Sequence, residues 1–429
     1  MQDSDTDVVR ELFAADAWQR NLVKSDTGKP IDCWQNVNLV LQHHPAWKGV
    51  LAFDTFSQMP VKMKRAPTGA CAGPWMAEDD TLLGMWLAQH MKMVIKALGN
   101  VSQGVVACAQ LNKHHPVTSW LDSLEWDQRP RLAEWMPDCL GVKRSPYSAA
   151  GGRYFLMNMV RRVYEPGCIM RSVPVLEGAQ DTGKSTALRI LASDAWFSDS
   201  HFDVSGKDVY ELIQGVWLYE IGEMASFNKS EANRVKQFIS SVKDNWVPKY
   251  IRGRVTVYRQ VVFAGTTNEN LYLKDWTGNT RFWPFLCGEA QPINLEVLAG
   301  MREQLFAEAV VLVRQGERCY PTQEEHLELF GPEQEARVVE HPWMEPIRAW
   351  LASPSVVINP RVTSFDVLRE GLAVEKSKMT VAMQQDVGRI MKGLGWLRKR
   401  DSDGSREWFY ERPERPITNK EHQNGADPF

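Results

Sequence analysis

An α/β fold built around a phosphate-binding loop is predicted by three observations. The first is the stretch VPVLEGAQDTGKSTALRI, Val173 to Ile190, in which an apolar strand runs into a glycine-rich turn and then into a helical pattern. The second is the alternation of strand-like and helical segments from about 166 to 320, the rhythm of a parallel sheet. The third is a run of helical segments followed by two short strands between about 340 and 412, which suggests a winged-helix module. The expected fold class is therefore α/β, a P-loop NTPase core with a mixed N-terminal accessory domain and a C-terminal winged-helix-like domain. The expected units are 1–165, 166–335 and 336–412, with a polar, Pro-containing tail at 413–429 predicted to be disordered.

The loop reads G-x-x-x-x-G-K-S, with Gly178, Ala179, Gln180, Asp181, Thr182, Gly183, Lys184, Ser185 and Thr186 as candidate ATP-binding residues. Glycines allow backbone N–H groups to turn inward around phosphate oxygens, and the following helix points its positive end at the same anion. Lys184 would reach the β- and γ-phosphates, and the Ser185 hydroxyl would hold Mg²⁺. The plain alternative is a glycine-rich turn that holds no ligand. Pro174 cannot donate to a sheet ladder and is expected at the strand's start.

A chain of 429 residues is too long for one core, and 44% hydrophobic with 24% charged residues is ordinary for a globular protein. The net charge of −3 excludes a chain that is basic throughout, so nucleic-acid contact must come from local patches. The 7 cysteines are scattered without a C-x-x-C pair, which points away from a zinc site or disulfide framework and toward a reducing, cytoplasmic setting. The acidic opening MQDSDTDVVRELF lacks an apolar signal core, and no apolar run is long enough to predict a membrane span.

Before the loop, Asn38 to Gln42 and Asp80 to Leu98 carry helical periodicity, and 49–53 and 59–63 read as strands. Thr118 to Trp126 and Arg131 to Leu140 read as short helices whose tryptophans, Trp120, Trp126 and Trp135, fit core packing. The doublets His43-His44 and His114-His115 lack metal-ligand spacing and read as loop or helix-end residues. Nothing in this region identifies chemistry.

After the loop, GVWLYEIGE reads as a buried strand ending in acid. Phosphoryl transfer needs one carboxylate for Mg²⁺ or its water and another to polarise the attacking water. Glu220 and Glu223 fit, and spacing does not say which does which. The strand Val261 to Ala264 ends in Thr266, Thr267 and Asn268. If it lies beside the loop strand, Asn268 could bond the γ-phosphate or the water. Between these strands lie Arg234, Lys236, Lys243, Lys249, Arg252, Arg254 and Arg259, opposed by Glu231 and Asp244. Lys249, Arg252 and Arg254 would crown a hairpin that either tracks a DNA backbone or is a solvated surface feature. That hairpin is expected at the same edge of the sheet as the nucleotide chemistry. In the last unit, Lys392, Arg398, Lys399 and Arg400 suit phosphate contact.

The run from Val235 to Phe285, together with GAQDTGKST, WLYEIGE and LDSLEWDQRPRL (Leu121 to Leu132), resembles the virulence-associated protein E family of phage and prophage proteins. That family is similar to superfamily 3 helicases of the AAA+ class. The resemblance extends over roughly 30–290 and implies ATP-driven translocation on single-stranded or forked DNA by a homo-oligomeric ring, usually a hexamer. It implies that Lys184 and Ser185 hold nucleotide and Mg²⁺, that Glu220 and Glu223 form the second Walker motif, that Asn268 is a sensor and that Arg281 is an arginine finger. Two positions depart from the family pattern: Asp181 stands where glycine is usual, and Thr280-Arg281 where two arginines are usual. The expected function is an ATP-hydrolysing DNA motor, a phage or prophage replicative helicase. A small-molecule P-loop kinase, or an ATP-switched DNA-binding protein without motor activity, would share the loop.

Overall fold

The computed structural model describes residues 17–412 apart from 202–203, 205, 207–208, 225–228, 248–253, 274–278, 340, 359–360 and 402–406. The tail at 413–429 therefore lies outside the described residues, as do Lys249 and Arg252.

The first unit packs helices α1 (Trp34–His43), α2 (Ala77–Met91) and α3 (Leu98–Gln110) against the four-stranded sheet of β1 (Leu51–Asp54), β2 (Met59–Lys62), β3 (Gly73–Pro74) and β4 (Lys113–His114), in the order β3-β2-β1-β4. Its core is Trp18, Val37, Val40, Trp47, Leu83, Trp86, Leu87, Val101 and Val105 with their neighbours. The single helix expected over Asp80 to Leu98 is two helices: Lys92 adopts a left-handed conformation that ends α2, and α3 begins at Leu98. His43 ends α1 and His114 ends β4, while His44 and His115 stand just before the next helical segments. His44 and His115 each accept a backbone N–H at the start of the next helical segment.

Helices α4 (Pro116–Asp122), α5 (Trp135–Leu140) and α6 (Pro146–Tyr164) follow. Here the structure departs from the expected boundary at 165. Val117, Leu121, Trp135, Phe155, Leu156 and Val160 share one core with the central sheet, so residues from about 117 onward belong to the central unit. Helix α6 starts cleanly because the Ser145 hydroxyl accepts the Ser148 N–H and Pro146 occupies the first helical position, where no donor is needed.

The central sheet holds β5 (Val173–Glu177), β6 (Phe197–Ser198), β7 (Leu218–Ile221), β10 (Val262–Thr267) and β11 (Phe282–Leu286), all parallel, in the order β11-β5-β10-β7-β6. Helices α6, α7 (Lys184–Ala192) and α9 (Leu295–Arg314) cover one face. Helix α8 (Lys229–Ile239), through Val235, Phe238 and Ile239, packs on the other. Pro174 sits near the start of β5, where pairing with β10 begins only at Val175, so its lost donor costs no bond on that side. Strands β8 (Lys243–Trp246) and β9 (Val255–Tyr258) form a separate antiparallel hairpin, and the short α10 (Gly331–Glu335) packs on β11.

The last unit has its own core of Met344, Ile347, Val367, Leu368, Val387, Ile390, Met391, Trp396 and Tyr410. Helices α11 (Met344–Leu351) and α12 (Val381–Gly393) precede a hairpin of β13 (Leu397–Arg400) and β14 (Trp408–Glu411), and β12 (Arg361–Val362) pairs with β14. Helices are thus followed by a hairpin that belongs to a three-stranded antiparallel sheet.

Candidate nucleotide cleft

In a parallel sheet, ligand chemistry gathers beyond the carboxyl ends of the strands. Here β10 lies between β5 and β7, so the ends of the loop strand, the threonine-rich strand and the acidic strand stand side by side. The loop leaves β5 at Gly178 (φ +136), where a Cβ would meet the Cys287 carbonyl oxygen at 3.0 Å, and re-enters helix at Gly183 (φ +97). Both positions need glycine. Asp181 also takes a left-handed conformation, φ 59, with a side chain that pays for it.

Lys184 is 6% exposed, and its Nζ donates to the carbonyl oxygens of Gly178 at 2.8 Å and Ala179 at 2.6 Å and to Asn268 Oδ1 at 3.1 Å. Burial lowers the Lys184 pKa, while Cys287, Glu220 and Asp181 pull it back up. The Ser185 and Thr266 hydroxyls donate to the same oxygen of Glu220, Oε1, at 2.7 and 2.6 Å. The other oxygen, Glu220 Oε2, is buried without a hydrogen-bond partner among the described residues. A buried carboxylate oxygen without a donor is costly unless a water or a cation meets it. The two partners of Glu220, Ser185 and Thr266, are among the residues lining a cleft of about 600 Å³, with the rest of 180–186, Glu223, Thr267, Asn268 and Glu269. Glu223 is exposed two residues beyond β7, with φ 50.

The residues at hand fit a nucleotide-bound Mg²⁺. Ser185 Oγ and Glu220 supply two adjacent oxygen donors, one with a free acceptor. Among the described residues no group of three or more His, Cys, Asp or Glu could hold a metal by itself. A cation here would therefore draw its remaining oxygens from phosphate and water, as Mg²⁺ does.

Of the expected site residues, Lys184, Ser185, Glu220, Glu223 and Asn268 come together around this cleft. Arg281 does not. It lies just before Phe282, which pairs with Val173 at the opposite end of β5 from the loop, about 16 Å along the strand. There its Nε donates to Ser240 Oγ at 3.0 Å, and burial and the nearby Arg171 lower its pKa. The expected placement of the hairpin is also corrected. Its base joins the amino end of β10, because α8 carries the chain back from the carboxyl end of β7 before β8 begins; the exposed Arg254 is thus on the far side from the cleft. Nor are all the basic residues in this stretch surface charges. Arg259 is 2% exposed and pairs bidentately with the buried Asp244, stacking on Phe238 at 4.2 Å, and Lys236 is buried.

On the C-terminal unit, Lys392 and Arg398 border a groove of about 760 Å³ between α12 and β13. Arg398 and Arg400 flank the Trp408 indole at 4.4 and 5.6 Å. Lys399 faces the other side of β13, where Glu411 Oε2 accepts from its Nζ at 2.6 Å, so it is separated from the other three.

Sequence reasoning missed the Thr266 hydroxyl as a partner of Glu220. A polar pair closing an apolar strand beside an acidic one was the available signal. It also missed Arg337, whose guanidinium bonds Glu177, the residue before the loop, at 3.0 to 3.1 Å. Nothing local in the sequence signals that pairing across 160 positions.

The model of the virulence-associated protein E-like domain matches residues 121–339, slightly more than half of the chain. The chain belongs to this family. The match begins well after residue 30, where the sequence resemblance was expected to start, and it ends beyond 290. Its limits follow the central core, which apart from Phe56 runs from Val117 to Val338, and the first sheet lies outside the match. No curated protein matches. Among solved structures, the apo structure of the NrS-1 C-terminal region is similar at a TM-score of 0.46 and 12% identity, covering 84% of this chain and 95% of that one. An A-form apo structure of the same region gives 0.47 and 11%, covering 84% and 95%. No helix among the described residues is long and apolar enough to cross a membrane.

Proposed function

We propose that the cleft binds ATP with Mg²⁺ and hydrolyses it, and that hydrolysis drives a DNA motor in phage-type replication. The observation that carries this reading is Glu220: one oxygen is held by Ser185 and Thr266, which both line the open cleft under the phosphate-type loop, and the other is buried without a hydrogen-bond partner among the described residues. In this reading Lys184 leaves the loop carbonyls and neutralises charge on the transferring phosphoryl group. Mg²⁺ supplies Lewis-acid stabilisation of phosphate oxygens. Ser185 and Glu220 hold the cation's site, Asn268 orients the phosphoryl group or the water, and Glu223, exposed at the rim, is placed to accept a proton from water. Arg281 is too far along the sheet to reach the phosphates of its own chain, so a finger role requires a neighbouring subunit in a ring. Arg398, Arg400 and Lys392 supply a basic face for DNA, with Arg254 on the central hairpin.

ATP turnover measured with and without single-stranded DNA tests the reading. Wild type is expected to hydrolyse ATP faster with DNA, and Lys184→Ala to lose turnover while staying folded. Mixing Lys184→Ala with Arg281→Ala is expected to restore part of the activity, because some interfaces then pair an intact loop with an intact arginine. Wild-type turnover by Lys184→Ala would overturn the assignment. A second reading, an ATP switch without turnover, is favoured by the negative charge of Asp181 in the loop; ATP binding without hydrolysis by the wild type would select it.

A further inference from the structure

Residues 334–339 cross the face of the sheet away from α6, α7 and α9 and touch three parts of the candidate machinery. Gln334 Nε2 donates to the carbonyl of Phe282, the residue after Arg281, at 2.9 Å. The Arg337 guanidinium holds both oxygens of Glu177, which is 2% exposed and directly precedes Gly178. It also holds Glu333, within the same segment. The Arg337 carbonyl accepts the N–H groups of Tyr272 and Leu273 at 3.2 and 3.1 Å, and the Val339 N–H returns to the Leu273 carbonyl at 3.1 Å. Tyr272 and Leu273 lie four and five residues beyond Asn268.

Glu177 is in register with Thr267 on β10, the neighbour of Asn268. The root of the phosphate loop and the Asn268 strand are thus joined twice: by the sheet ladder below, and by Arg337 above. The second joint is adjustable in a way the ladder is not, because it is a side chain on a segment that continues into the C-terminal unit. A guanidinium fork bonded to both carboxylate oxygens fixes orientation as well as distance. Burial raises the Glu177 pKa, and the hydrogen bonds and charge of Arg337, with Tyr272, oppose that shift.

We propose that Arg337 is a positioning residue that sets the phosphate loop against the Asn268 segment through Glu177 and the 272–273 backbone. Its effect on hydrolysis rests on the nucleotide reading above, but its effect on the loop does not. Arg337 touches none of the residues that would meet substrate, and a shift of about 1 Å transmitted to such a site can cost on the order of 100-fold in rate.

The test uses the full chain carrying Glu177→Gln together with Arg337→Met, which removes the fork without leaving a buried charge unpaired. Amide hydrogen exchange without nucleotide is expected to accelerate about tenfold or more at 178–184 and 268–273, with α9 unchanged. ATP turnover is expected to fall at least about tenfold while KM for ATP moves less than about threefold, the split of a group that positions rather than binds. Arg337→Lys, which keeps the charge and loses the fork, is expected to fall between, and it decides the matter if the double variant does not fold. Wild-type exchange in the loop, or equal acceleration throughout the sheet and α9, would overturn the proposal. Local acceleration in a chain whose wild type does not hydrolyse ATP would uphold the positioning and remove the hydrolysis reading instead.

Discussion

At the carboxyl ends of β5, β10 and β7, Lys184, Ser185, Glu220, Thr266 and Asn268 bond one another around an open cleft. At the amino ends of the same strands, Arg259, Asp244 and Arg162 are closed over by protein. Arg259 and Asp244 satisfy each other, and Arg162 donates to the carbonyls of Cys168 and Ser241, while its Nε is buried without a hydrogen-bond partner among the described residues. The residue types are alike, and their states differ. At one end a carboxylate oxygen lacks a donor and a lysine leans on carbonyls that phosphate could replace. At the other, the charges lock the base of the β8–β9 hairpin to the turn after α6. The charges at one end border an open cleft, and those at the other are enclosed by protein.

That contrast predicts opposite mutational signatures. The largest effect is expected at the closed end. Arg259→Ala leaves Asp244 buried without its partner, and breaking such a pair costs about 3–5 kcal/mol. Denaturant unfolding should register that loss, and Asp244→Asn combined with Arg259→Met should recover much of it. A loss below about 1 kcal/mol would erase the distinction between the two ends.

At the open end, Glu220→Gln is expected to leave stability within about 1 kcal/mol, since the amide removes a buried charge and can still accept from Ser185 and Thr266. Turnover of ATP should nevertheless drop by about 100-fold or more, because the cation site loses its charge. Destabilisation comparable to that of Arg259→Ala would make Glu220 a structural residue like those at the closed end.

The third effect is a gain. Asp181 sits with φ 59 in the loop that lines the cleft, and its charge acts on Lys184. Asp181→Gly removes both the left-handed cost and the negative charge. ATP affinity is expected to rise about tenfold, or about 1.4 kcal/mol, with stability up by about 1 kcal/mol. Calorimetric titration with ATP and Mg²⁺ measures the first. Unchanged affinity would mean that Asp181 already points its charge away from the phosphates.

What was legible in the sequence follows the range of the interactions. The loop, the acidic strand and the helix–hairpin order of the last unit are local patterns, and each stands where its spacing placed it. Asn268 was placed correctly only on the condition that its strand lay beside the loop strand, and the sheet order meets that condition. The misplacements share one cause. The hairpin around Arg254 and the finger candidate Arg281 were expected near the cleft because they are near its residues in sequence. In a parallel sheet, successive segments alternate between opposite ends, so closeness in sequence does not give the end. The pairing of Arg259 with Asp244 is not legible in the basic run for a related reason, since the two lie across a hairpin. The boundary at 165 failed because the apolar residues of α4 to α6 look the same whichever sheet they cover.

The smallest effect expected concerns the seam between the first sheet and the closed end. His115 Nδ1 accepts the Thr118 N–H at 3.2 Å, capping α4, while Nε2 meets Gln260 Oε1 at 2.6 Å, next to Arg259. An acceptor at one nitrogen and a donor at the other is the neutral imidazole. Protonation would put a hydrogen on Nδ1 facing the Thr118 donor and abolish the cap. Burial lowers the His115 pKa from its usual 6.5, with Gln260 and Asp54 opposing. The sign follows from linkage. Below pH 6.5 the unfolded chain takes up a proton that the folded chain resists, so stability falls as pH drops through 6.5 and levels off once the folded state also titrates. His115→Asn keeps a capping acceptor and cannot titrate. Unfolding midpoints between pH 7.5 and 5.5 should therefore decline less steeply in His115→Asn than in the wild type, with the variant slightly weaker at pH 7.5 for want of the Gln260 bond. Identical slopes would move the pH sensitivity elsewhere and leave the seam a passive contact, unlike the charged lock beside it.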